Sequence, residues 1–230
     1  MITPGAVQIW QGQLCDDDAS YQTYWSVLDA IEQAHANKMM SVVRRKEYVQ
    51  IHALLRYQLA RILQTPPEAI VINKTQSGKP YLVDYPELVF NISHTKELFL
   101  IAISTHCQLG VDIEYCKQRH NIEGLVHKCF SSIEREYWFQ LFEPERLTAF
   151  YKFWTRKEAF VKATGHGIVL GLDECVINPN NINQFLSIPA NCGEVSDWFV
   201  SDLYISDKHV ATLVTDQEIL EVHMLTINNE

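Results

Sequence analysis

The stretch LGVDIEY, Leu109 to Tyr115, sets two carboxylates two residues apart inside an apolar run. Side chains alternate between the faces of a strand. Gly110, Asp112 and Glu114 therefore share one face, and Val111 and Ile113 share the other. Like charges at adjacent same-face positions repel unless something positive lies near both. For the strand alone two readings stay open, a solvated edge or a place for a cation.

Just upstream, LVFNISHTKELFLIAIST reads as a hairpin, two β-rich runs around a polar tip at His94–Glu97. Before it, SVVRRKEYVQIHALLRYQLARIL (41–63) has apolar residues at helical spacing, Ser41 as N-cap and Pro66-Pro67 beyond its end. IVINKTQSGKPYL, between the two, predicts a strand, a turn at Ser77-Gly78 and an extended piece set by Pro80. Downstream the order repeats. RLTAFYKFWTRKEAFVKAT (146–164) predicts a helix stopped by Gly165 and Gly167. DWFVSDLYISDKHVATLVT predicts a hairpin turned at Ser206–Lys208. The expected class is α+β, with two similar units, each a small, mostly antiparallel sheet packed with helices. The polar stretch 115–130 suggests a division into residues 1–115 and 116–230.

The 230 residues are 47% hydrophobic, enough to bury a core. A net charge of −9 argues against a general nucleic-acid binder, which needs a broad basic face. No run of about 20 apolar residues predicts a membrane span, and MITPGAVQIWQG lacks the pattern of a secretory signal. The six cysteines form no CxxC pair, as expected of a reduced, cytoplasmic protein. Cys116, His120, His127 and Cys129 are zinc-capable, but their spacing fits no compact finger, and they read as unrelated loop residues.

Glu158 lies four residues after Trp154 and four before Lys162. Alone, Glu158 and Lys162 would be an exposed helical pair worth about 0.2–0.5 kcal/mol. Taken with Asp112 and Glu114, Glu158 completes three hard oxygen ligands suited to Mg²⁺. Lys157 and Lys162 would suit the phosphates of such a complex. Arg44, Arg45 and Lys46 at a helix start, Lys79 after Gly78, and Ser93 and His94 on the hairpin are further phosphate-capable residues. Each, taken singly, also reads as a solvated or hydrogen-bonded side chain.

Four ordered segments, SGKPYL, FNISHT, GVDIE and FWTRKEAFVKATGHGI, resemble the Sfp-type 4′-phosphopantetheinyl transferases, over about Arg44 to Ile168. The resemblance implies a pseudo-dimer of two α+β halves with the active site between them. It implies a holo-[carrier-protein] synthase that moves the phosphopantetheine arm of coenzyme A onto a serine of an apo acyl or peptidyl carrier protein, with Mg²⁺, releasing adenosine 3′,5′-bisphosphate. Asp112, Glu114 and Glu158 would hold Mg²⁺. Lys162 would neutralise the leaving phosphate, and Glu158 or Asp112 would take the serine proton. Arg44, Arg45, Lys79, Ser93, His94, Lys157 and Lys162 would contact coenzyme A, with Trp154 mainly structural. The family often has a basic residue where this chain has His52. A monomer suffices, because both halves lie in one chain. Lys117, Arg119, His120, Lys128 and Phe130 form the expected carrier-docking surface. The competing readings are a Mg²⁺-dependent phosphodiesterase or nuclease and a non-catalytic coenzyme A-binding module. GHGIVLG lacks the lysine and hydroxyl of a P-loop, and no G-x-S-x-G elbow occurs.

Overall fold

A computed structural model describes residues 2–3, 5–15, 18–167 and 170–227. Ile168, the last residue of the fourth segment, lies outside them. The first half runs β1 (Ala6–Gln13), α1 (Asp18–Val27), α2 (Ala30–Asn37), α3 (Val42–Leu63), the small hairpin β2 (Ile72–Lys74) and β3 (Pro80–Leu82), then β4 (Val89–Thr95) and β5 (Leu98–Ser104). The second runs β6 (Leu109–Tyr115), α4 (Ile122–Cys129), α5 (Ser132–Gln140), α6 (Glu145–Thr164), the short pair β7 (Val176–Ile177) and β8 (Phe185–Ser187), then β9 (Phe199–Leu203) and β10 (His209–Thr215). A final strand, β11 (Glu221–Ile227), closes the chain.

The two large sheets repeat one plan. One has the order β11-β1-β5-β4 and the other β6-β10-β9. In each, an opening strand pairs antiparallel with the second strand of the hairpin, which pairs with the first. β6 is thus the counterpart of β1 and belongs by hydrogen bonding with the second sheet. A division after residue 115 would assign it to the first half. The polar stretch that suggested that division follows a strand already committed to β10. β11 returns to pair in parallel with β1.

The helices form where the sequence marks them. Ser41 caps α3, its hydroxyl accepting from Arg44 N at 3.3 Å. Gly165, at φ 69°, ends α6 in the left-handed conformation that glycine takes without strain. The β4–β5 turn is tighter than the expected tip. Thr95 pairs with Leu98, leaving Lys96 and Glu97 to turn, with Lys96 at φ 44°. Four apolar cores form among the described residues, one of them joining α1, α2 and α3 through Val27, Ala36, Val49 and Ala53. α3 packs on one side of the first sheet through Leu55, Leu59, Phe90 and Phe99. α6 packs with α4 and α5 through Phe130, Phe150, Phe153 and Phe160. Val7, Ile9, Leu100, Val111, Ile113 and Leu213 fill the space between the sheets.

Two sheet edges, β4 and β6, meet at the centre. Three backbone N–H groups of β6 donate to side chains of β4: Val111 N to Asn91 Oδ1 at 3.0 Å, Ile113 N to Ser93 Oγ at 3.3 Å and Tyr115 N to Thr95 Oγ1 at 3.2 Å. The alternation of N-I-S-H-T thus satisfies the free edge of β6, a group that would otherwise be buried unpaired. Val111 and Ile113 face the core between the sheets, as the two-residue period predicts. Gly110, Asp112 and Glu114 face α6. A β-carbon on Gly110 would lie 2.0 Å from Ala159 O and 2.5 Å from Ala163 N. Only the bare glycine lets α6 cross β6 this closely, and that crossing brings Glu158 and Lys162 over Asp112.

Candidate active site

At the crossing, Lys162 Nζ donates to Asp112 Oδ1 at 2.8 Å, Ser93 Oγ at 3.0 Å and Val111 O at 3.1 Å. Ser93 donates its own proton to Asp112 Oδ1 at 2.8 Å. One strand of each sheet and one helix therefore meet at a single ammonium. The second oxygen of Asp112, Oδ2, is buried and has no partner among the described residues. A buried acceptor left open in this way carries a desolvation cost. Glu158, half-buried, has its carboxyl pKa raised, foremost by burial and next by the charge of Asp112, with Lys162 opposing. Glu114 is raised by burial too, with Arg119 opposing and Asp112 adding to the rise. Its Oε2 accepts from Arg119 Nη2 at 3.0 Å.

The three carboxylates are therefore electrostatic neighbours. Among the described residues, no three His, Cys, Asp or Glu side chains stand in metal-ligating arrangement. Lys162 occupies Asp112 Oδ1, and Arg119 occupies Glu114 Oε2. The chemistry of the donor set fits Mg²⁺: hard carboxylate oxygens, one of them buried and unpartnered.

A cavity of about 410 Å³ opens beside this cluster. Lys162 lines it together with Asn91 and Phe90 of β4, Lys74, Gly78 and Pro80 of the β2–β3 hairpin, and Glu32, His35, Tyr48 and His52 of α2 and α3. His52 stacks on Tyr48 with ring centroids 3.9 Å apart. Its Nδ1 lies 2.8 Å from Glu32 Oε1. Glu32 in turn accepts from Arg56 Nε at 2.7 Å, and Arg56 reaches Asp29 and the carbonyls of Pro67 and Ile70. This buried network fixes the aromatic wall. A wider groove of about 800 Å³, between Asn183–Phe185 and Glu194–Ser201, holds none of the expected site residues.

The other expected coenzyme contacts separate. Ser93 joins the acidic cluster. His94, next on β4, faces the opposite way. Its pKa is lowered, foremost by desolvation and also by nearby Lys162 and Arg44, with Glu47 opposing. Arg44 is exposed at the start of α3, and Arg45 donates to Met39 O at 2.9 Å. Lys79 turns to the end of α6, donating to Ala163 O at 2.6 Å and Gln108 Oε1 at 2.9 Å. Its pKa is lowered by burial to about 8. Ser77 Oγ donates to Gly165 O, a second cap on the same helix end.

Lys157 departs furthest from expectation. Its side chain is 0% exposed, on the face of α6 turned away from β6. Nζ donates to Glu134 Oε2 at 2.9 Å and to the carbonyls of Leu172 and Cys175. It holds the C-terminal half together and has no access to a ligand. Its position next to Glu158 hid this, because adjacent helical residues sit about 100° apart. Trp154 stacks on Phe150 at 5.9 Å, a packing role as expected. Phe130 is fully buried against Phe150 and Phe153, so it cannot belong to a docking surface. Cys129 is in the C-terminal core, and His127 packs against Phe139.

Sequence reasoning passed over the pocket wall of Glu32, His35, Tyr48 and Lys74, and the fastening roles of Asn91 and Thr95. The polar-apolar alternation of N-I-S-H-T was the available signal for the last two. Nothing local pointed to the wall, because three separate segments build it.

With the fold and cluster in view, comparison with known proteins places the chain. Residues 108–214 match the model of the 4′-phosphopantetheinyl transferase superfamily, and residues 14–106 match that of the 4′-phosphopantetheinyl transferase N-terminal region. The chain is 29% identical over 211 residues to the 4′-phosphopantetheinyl transferase HetI of Nostoc sp., covering 90% of this chain and 86% of HetI. It is 31% identical over 197 residues to the candidate 4′-phosphopantetheinyl transferase slr0495 of Synechocystis sp., covering 84% and 78%. It is 32% identical over 121 residues to a Bacillus subtilis 4′-phosphopantetheinyl transferase, covering 52% of each. The chain belongs to the 4′-phosphopantetheinyl transferase family.

Proposed function

We propose that this chain transfers the 4′-phosphopantetheine arm of coenzyme A to a serine of an apo acyl or peptidyl carrier protein, in the Sfp-type manner, releasing adenosine 3′,5′-bisphosphate. The observation that carries the reading is the junction of Lys162, Asp112 and Ser93 at the edge of the cavity, with Asp112 Oδ2 buried and open.

The cavity suits the nucleotide end of coenzyme A. Tyr48 and His52 offer an aromatic face, and Lys74 and Lys162 offer charge to phosphates. Arg44 and His94, close enough to influence each other, would add a guanidinium and a hydrogen-bonding imidazole beside this rim. Asp112, Glu114 and Glu158 would hold Mg²⁺. When bound, that ion withdraws charge from the diphosphate oxygens. Lys162 offers its ammonium to the bridging and leaving oxygens, where negative charge grows as the P–O bond breaks. Glu158 accepts the proton of the attacking serine. Asp112 Oδ1 is already engaged by Lys162 and Ser93, which leaves the Glu158 carboxylate for this role.

The repeated sheet plan supports a monomer, since one chain supplies both walls. The net charge of −9 leaves association with acidic partners to local basic residues. Lys117, His120 and Lys128 remain from the expected docking surface. Among the described residues no helix is long and apolar enough to cross a membrane. Cys107, Cys116, Cys129, Cys175 and Cys192 form no disulfide, four of them buried, which fits a reducing, cytoplasmic setting.

The test is mass spectrometry of an apo carrier protein incubated with coenzyme A, Mg²⁺ and this protein. The carrier gains one phosphopantetheine mass. Glu158→Gln protein of native fold gives no gain. An unmodified carrier across acyl and peptidyl types, or full activity in Glu158→Gln, refutes the proposal or the role of Glu158 respectively.

A further inference from the structure

Glu114 is the one carboxylate of the acidic cluster held by a guanidinium. Arg119 comes from the loop after β6, five residues on, and folds back over the strand. Its Nη2 donates to Glu114 Oε2 at 3.0 Å, and its Nε donates to the hydroxyl of Tyr151 at 3.1 Å. That hydroxyl donates its own proton to Lys117 O at 2.8 Å, so it serves Arg119 as an acceptor. The guanidinium carbon also lies 5.4 Å from the Tyr151 ring centroid. Tyr151 is fully buried on α6, two turns before Glu158 on the same helix. The loop cation is thus pinned to the helix that carries the rest of the site.

The pinning is asymmetric. The Nε edge is fixed on a buried phenol. The Nη2 edge meets Glu114 where both side chains are part-exposed, 30% and 20%. Arginine does not lose its charge near neutral pH. Glu114 Oε2 is therefore freed when another cation takes the place of Nη2, and not by deprotonation of its partner.

We propose that Arg119 is the resident counter-ion of Glu114, a positioning residue that a divalent cation displaces on binding and that thereby sets the metal affinity of the site. The inference rests on the reading of Asp112, Glu114 and Glu158 as the metal-holding set. It deepens that reading by giving a residue of the loop a defined part. In the metal-free protein Arg119 keeps Glu114 from being repelled by Asp112 and Glu158. On exchange, its free edge stays at the rim of the site, tethered by Tyr151, where it faces anions.

The experiment is titration with Mn²⁺ alone, without coenzyme A, followed by loss of the free-ion paramagnetic resonance signal. Wild type, Arg119→Gln, Arg119→Lys and Asp112→Asn are compared, with native fold checked by circular dichroism. Removing a part-exposed competing charge tightens Mn²⁺ binding roughly fivefold in Arg119→Gln. Arg119→Lys restores the charge without the fork and falls between Arg119→Gln and wild type. Asp112→Asn weakens binding. Arg119→Gln with unchanged or weaker Mn²⁺ binding, against a wild type that does bind, overturns this inference alone. If wild type and Asp112→Asn both leave the free-ion signal untouched, the acidic set is not a metal site, and the inference falls with it.

Discussion

Lys162 Nζ stands 2.8 Å from Asp112 Oδ1, and the same ammonium reaches Ser93 of the other sheet at 3.0 Å. One side chain therefore closes the joint between the halves and faces the cavity. Lys162→Ala removes the charge that meets the breaking bond, and kcat falls by about 10²-fold or more. Lys162→Arg does not restore it, because a planar fork cannot occupy the place of three converging donor bonds from one nitrogen. Steady-state kinetics with a saturating carrier check both.

Lys157 makes the opposite prediction. It is sealed against Glu134, and Glu134 also accepts from Ile177 N and Ser131 N. Lys157→Met leaves a buried carboxylate without its cation and costs about 3–5 kcal/mol of stability. Pairing it with Glu134→Leu recovers part of that loss. Denaturant unfolding measures the stability, and the folded fraction of Lys157→Met keeps near-native KM for coenzyme A. A selective rise in KM would return Lys157 to the phosphate contacts.

Gly110 is a close-approach position. Gly110→Ala drives a methyl into the backbone of α6 at Ala159 and Ala163. Backbone cannot swing aside as a side chain does, so the helix moves off β6 at a cost of about 1–3 kcal/mol. Transfer falls with it, because Glu158 and Lys162 move together away from Asp112. Thermal unfolding and the transfer assay should report correlated losses.

Lys79 gives the folded protein a pH signature. Burial lowers its pKa from 10.5 to about 8. Below pH 8 both folded and unfolded chains carry the charge, and the folded state bears the full desolvation cost. Between these two values the unfolded chain binds more protons, so the stability contributed by this group rises with pH across that window. Lys79→Met flattens this rise in unfolding free energy measured from pH 8 to 10.5. An unchanged slope would show that Lys79 is not the source.

Much of the interior was readable because it depends on local rules. The cap at Ser41, the stop at Gly165 and the alternation through Leu109–Tyr115 all reflect preferences within a few residues. Motif order implied that Asp112 and Lys162 serve one site, but the direct bond between these residues, 50 apart in sequence, was not read from it. The partners of β1 were not readable. It sits between β5 and a parallel strand from the far end of the chain, and no local pattern names such a neighbour. The burial of Lys157 was missed for a related reason, because its carboxylate partner comes from α5, 23 residues away. Arg119 was noticed as a surface cation. Its turn back onto Glu114 depends on Tyr151, which a reading of the loop alone does not include.

The strand pairing has a consequence for how the polypeptide could be taken apart. A nick in the loop after Tyr115 would yield two pieces that each lend the other a ribbon. The front piece would keep β6, which completes the rear sheet on β10, and the rear piece would keep β11, which flanks β1. Such fragments are reciprocally laced, and co-expressed as separate genes they would reassemble into one body instead of drifting apart as two independent modules.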